Sequence, residues 1–131
     1  MSMDYQAEYA KERKQWIDRM RVASTLDAAF LLYYYNHWTT SWVPPPKPLP
    51  MAQSEVFSDQ YPEPDQEEEA RAGKMYKAAF DMVWSGHEAR SRGLDYRDTY
   101  EPRLLQFKDA NPGFSESSYE LAIYAANVAF R

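Results

Sequence analysis

The chain has no cysteine, only two histidines and only four glycines in 131 residues. The missing thiols exclude disulfides and any cysteine-ligated zinc or iron–sulfur centre. Scarce glycine leaves little material for a phosphate-cradling loop, and neither a Walker A pattern nor G-x-G-x-x-G occurs. No serine stands in G-x-S-x-G, so the usual setting of an activated serine is also missing. The longest strongly apolar run, residues 28–35, is far shorter than the roughly 20 residues a bilayer demands. The N-terminal MSMDYQAEYAKERKQW lacks the apolar core of a secretory signal, so a cytoplasmic protein is expected, with no membrane partner.

Basic excess is lacking too. The formal net charge is −5, which disfavours a nucleic-acid binder, since phosphates must be met by a basic face. The charge is uneven. Five basic and five acidic groups cancel over residues 1–38, residues 39–70 set Lys47 against seven acids for a net −6, and residues 71–131 come to +1.

Aromatics and prolines are abundant. Aromatic residues make up 16% of the chain, including 11 Tyr and 4 Trp, enough to fill a small core and leave some rings part-exposed. Seven of the nine prolines fall between Pro44 and Pro64. Proline locks φ and lacks a backbone donor, so this stretch should run extended, as polyproline II. Pro45-Pro46-Lys47-Pro48 matches PxxP, though no flanking basic residue completes an SH3-type ligand.

Helical periodicity accounts for most of the rest. Tyr5, Tyr9, Trp16 and Met20 recur at helical spacing over residues 4–22, with charged residues between them. Ser24 opens a second helix, with Asp27 at its third position. In that helix Leu26, Ala29, Phe30, Tyr33, Tyr34 and His37 form one stripe, while Leu31, Leu32, Tyr35 and Trp38 cover much of the remaining surface. A helix apolar nearly all round belongs at the centre of a core or beneath a partner. Asp65 starts a third helix whose first turn is acidic, as suits the positive end of its dipole. Met75, Tyr76, Ala79, Phe80, Val83, Trp84 and His87 give it a stripe, and it should stop near Gly93. A short helix over residues 101–110 precedes the Asn111-Pro112-Gly113 turn. Ser117-x-x-Glu120 then reads as the capping box of the last helix, with Tyr119, Ala122, Ile123, Ala126 and Phe130 on one side.

These patterns predict an all-α fold: one helical domain over 1–131, a small bundle of four to five helices, with residues 39–64 as a long proline-rich acidic connection between helices 2 and 3. Phe30, Tyr34, Phe80, Trp84, Ile123 and Phe130 are expected in one core.

Catalytic and metal patterns are incomplete. His87-Glu88-Ala89-Arg90-Ser91 has Ser91 where a zinc-binding HExxH has its second histidine. The residues three before His37 and His87 are Tyr34 and Trp84, not the glutamates of a di-metal bundle. Neither metal nor cofactor is therefore expected. The composition instead suggests a non-catalytic protein-binding module: a small acidic inhibitor or immunity-type protein that binds and neutralises a basic toxin or other effector, with aromatic anchors set among acids. The expected partner-binding residues are Trp42, Glu55, Phe57, Asp59, Tyr61, Glu63 and Asp65. In the bland alternative, Trp42, Phe57 and Tyr61 merely fasten the connection to its own bundle. Two other functions stay open. One is a small enzyme or ligand-binding bundle with a pocket of Tyr33, Tyr34, His37, Tyr76, Trp84 and His87. The other is a homo-oligomeric phage-type or structural assembly component.

Overall fold

A computed structural model describes residues 4–39, 50–93 and 96–130, with side chains for 7–37, 50–93 and 100–130. All regular structure among these residues is helical: α1 (Asp4–Val22), α2 (Thr25–Tyr34), a π-helical turn (Tyr35–Thr39), α3 (Gln53–Val56), α4 (Gln66–Ser91), α5 (Tyr96–Ala110) and α6 (Glu116–Ala129). No described helix is long and apolar enough to cross a membrane.

Local chemistry explains most boundaries. Ser24 caps α2, its side chain accepting from the Asp27 amide at 3.1 Å. Asp65 and Glu68 form a reciprocal box at the start of α4. The Glu68 amide donates to Asp65 Oδ1 at 2.7 Å, and the Asp65 amide donates to Glu68 Oε1 at 3.0 Å. Two otherwise orphaned amides are thus satisfied. After α4 the chain turns at Gly93, whose φ of 79° is the left-handed conformation glycine tolerates best.

Three boundaries differ from the sequence reading. The last helix is capped by Ser115, which accepts from the Ser118 amide, and Ser117 lies inside the first turn. Starting α6 at Glu116 places an acid at its positive end. The helix before it begins at Tyr96 rather than near Glu101, so Pro102 falls inside α5. Part of the proline-rich connection is not extended. Residues 53–56 close one helical turn, and Ser58 and Tyr61 exchange backbone hydrogen bonds at 2.9 and 3.1 Å. The PxxP segment and Trp42 lie outside the described residues.

The chain groups into two compact units, Met1–Ala72 and Gly73–Arg131. In the first, α1 packs on α2 and on α3. Met20, Phe30, Tyr34, Tyr35, Met51 and Val56 are buried there, with Phe30 and Val56 fully inaccessible. The all-round apolar helix α2 is buried along most of its length, from Leu26 through Tyr34. In the second unit, Met75, Ala79, Val83, Phe107, Phe114, Tyr119 and Ala122 are buried.

The expected core list needs correction in this second unit. Trp84 is 50% exposed, and its indole N–H donates to Glu88 Oε1 at 2.8 Å. Phe80, Ile123 and Phe130 are only half-buried. Phe130 sits 5.4 Å from Trp84 and 6.0 Å from Phe80, ring to ring. The buried stripe of α4 runs through Ala72, Met75, Tyr76, Ala79 and Val83, so the expected stripe holds at Met75, Tyr76, Ala79 and Val83 and fails at Trp84.

Candidate protein-interaction surface

The segment leading into α4 is pinned by two arginines of α1. From Arg13, Nε and Nη2 donate to Glu55 Oε2 at 3.0 and 2.6 Å, Nη2 reaches the Pro50 carbonyl at 3.1 Å, and Nη1 reaches the Tyr35 hydroxyl at 3.4 Å. Arg21 Nε donates to the Val56 carbonyl at 2.9 Å, and its guanidinium lies 4.7 Å from the centre of the Tyr61 ring. Both arginines spend their planar forks on carbonyls and rings that a lysine would serve less well.

Other side chains finish the attachment. Asn36 copies a backbone pair with Met51: its Nδ2 donates to the Met51 carbonyl at 3.0 Å, and its Oδ1 accepts from the Met51 amide at 2.7 Å. The Thr25 hydroxyl donates to Glu68 Oε2 at 2.6 Å, and Gln53 Nε2 donates to Glu69 Oε1. Met51, Val56, Phe57 and Pro64 are buried beneath these bonds.

The expected partner-binding residues therefore divide. Glu55 is turned toward Arg13, and Phe57 is only 9% exposed. Tyr61 is half-buried against Arg21. Asp65 is exposed but occupied in the α4 cap. Asp59 and Glu63 are exposed, and among the described residues no cation pairs with them. Glu67, which is not among the expected residues named above, is exposed in the first turn of α4. Trp42 lies outside the described residues.

Electrostatics follow this division. The hydrogen bonds from Arg13 hold the Glu55 carboxyl below the usual carboxylate range, against a smaller upward push from burial. Burial alone would lower the Arg13 guanidinium, but Glu55 and Tyr35 outweigh it and raise it. Burial pushes the Tyr35 phenol up, with Arg13 opposing.

The aromatic residues of the alternative pocket belong to different units. Tyr33, Tyr34 and His37 lie in the first, and Tyr76, Trp84 and His87 in the second. Within the first unit, Tyr33 and His37 stack with centroids 3.8 Å apart and planes 6° from parallel. They line a cleft of about 190 Å³ together with Asn36, Gln53, Pro64 and Glu69. Sequence reasoning missed Arg13, Arg21, Asn36 and Gln53. No local pattern marks them, since their partners lie 15 to 42 residues away. The Asp65-x-x-Glu68 box, by contrast, was open to reading from the sequence. Among the described residues no three His, Asp or Glu side chains cluster to hold a metal ion. No protein-family model matches this chain, and no curated protein or solved structure matches it.

Proposed function

We propose that this protein is a non-catalytic binding module, an inhibitor or immunity-type protein that holds a basic protein partner. The observation that carries the reading is a set of exposed acids, unpaired among the described residues, on and just after a segment fixed from within. Asp59, Glu63 and Glu67 are exposed, while the segment that bears them is anchored by Arg13, Arg21 and Asn36. Fixed charges steer a cationic partner and lose little entropy when it docks. In this reading the helices make a small bundle in a cytoplasmic setting, residues 39–64 act as its strap, and Trp42 supplies an aromatic anchor. Phe57 and Tyr61 then support the surface from beneath rather than touching the partner.

The experiment neutralises the two unpaired acids. The double variant Asp59→Asn, Glu63→Gln should fold as the parent does. Its association with the partner recovered from source lysate should be slower at low salt, with a flatter salt dependence. Association rates equal to the parent's at low and high salt overturn the reading.

A further inference from the structure

The cleft beside the Tyr33–His37 stack has a chemistry of its own. Its volume of about 190 Å³ falls below the roughly 300–1,000 Å³ of pockets for drug-sized ligands, and suits one side chain or a short amine. Tyr33, Asn36, His37, Gln53 and Glu69 are its polar lining and Ala29, Leu32 and Pro64 its apolar lining, with no lysine or arginine among the described residues that line it.

The hydrogen bonds already formed leave acceptors on the residues that line the cleft. His37 Nδ1 lies 3.0 Å from the Tyr33 carbonyl. A carbonyl only accepts, so Nδ1 is the donor, and in that tautomer Nε2 is an acceptor. Gln53 commits its amide nitrogen to Glu69, which leaves the Gln53 Oε1 and the second Glu69 oxygen as further acceptors. The two stacked rings present π-faces, on which a cation is favoured. The cleft also adjoins the π-helical turn at the carbonyl end of α2, where helix dipoles favour positive charge and where π-helical turns often mark function. An anion would meet acceptors and a carboxylate. Among the described residues a metal ion would find His37 and Glu69 as strong ligands, short of a coordination set.

We infer that this cleft receives one organic cation, a guanidinium or a primary ammonium, paired with Glu69 and covered by Tyr33 and His37. As the seat of an arginine or lysine from the basic partner it rests on the reading above; as a site for a free amine it does not.

The test uses the whole chain and small probes: amide chemical shifts followed during titration with methylguanidinium and n-butylammonium chloride. Saturable shifts are expected at residues 33, 37, 53 and 69. Glu69→Gln should weaken them about tenfold or more, as loss of a charge-assisted bond does. Tyr33→Leu should weaken them as well while leaving Glu69 in place. Shifts that do not saturate, that persist equally in both variants, or that sodium butyrate reproduces overturn the inference. Acetyl-Gly-Arg-Gly-amide identifies the source. Binding at least as tight as methylguanidinium points to a partner's side chain, whereas exclusion of the peptide with retained butylammonium binding points to a free amine. These titrations need no partner, so their failure stays distinct from failure of the Asp59 and Glu63 experiment.

Discussion

Arg13 shows how much one side chain settles. It bonds the Pro50 carbonyl, the Glu55 carboxylate and the Tyr35 hydroxyl, joining α1, the end of α2 and the turn of α3. Its pair with Glu55 is part-exposed, at 21% and 41% for the two side chains, so solvent screens it. Glu55→Gln should cost about 1 kcal/mol or less at neutral pH. Because Arg13 lowers the Glu55 pKa below its ordinary 4.5, the contribution is complete above that value and fades as pH falls through the folded pKa. Denaturant melts of parent and variant should differ at pH 7 and converge in acid; a constant gap would exclude the ion pair as its cause. The Ser115 cap offers a sharper test. Ser115→Ala should cost about 1 kcal/mol, while Ser117→Ala, inside the first turn and exposed, should change stability by less than about 0.5 kcal/mol. The reverse order would return the cap to Ser117.

At the scale of the element, α1 and α4 followed their sequence signals, whereas the start of α6 moved by two residues and α5 and α3 departed further. The α1 bounds and the α4 start agree with periodicity and caps, because both signals act within a turn or two of the chain. In α5 the sequence reading starts at Glu101, yet helical backbone extends to Tyr96 and places Pro102 in the interior. An interior proline forgoes one backbone hydrogen bond. Pro102→Ala should therefore stabilise the chain, by up to about 3 kcal/mol, read as a higher denaturation midpoint. A lower midpoint would mean that the proline ring's own packing outweighs the missing bond. In α3 the reverse holds. Four residues are too few to be a stable helix alone, and Val56 and Phe57 hold that turn by burial.

On the scale of the whole molecule, the net charge of −5 understates the acidity of the segment before α4. Arg13 and Arg21 face the segment before α4, so their charge is spent against its carbonyls and Glu55. Asp59 and Glu63 of that segment are exposed, as is Glu67 in the first turn of α4. Steering by such a patch is screened by salt. The sequence leads to the expectation that the fold needs no metal, and chelation tests it. EDTA should leave the Tm unchanged; a fall of several degrees would place a metal in the folded state.

The sequence by itself determined the helical class, the caps at Ser24 and Asp65, the stop at Gly93 and the burial of α2. Each of these depends on residues within about four positions of one another, where spacing alone brings groups together. Only the tertiary structure decided that Phe57 goes in while Trp84 stays half out, and that Glu55 belongs to Arg13, 42 residues away. A charged residue on a helix looks the same in sequence whether it meets water or a carbonyl. The choice is made when segments distant in the chain fold together and their polar groups must be satisfied.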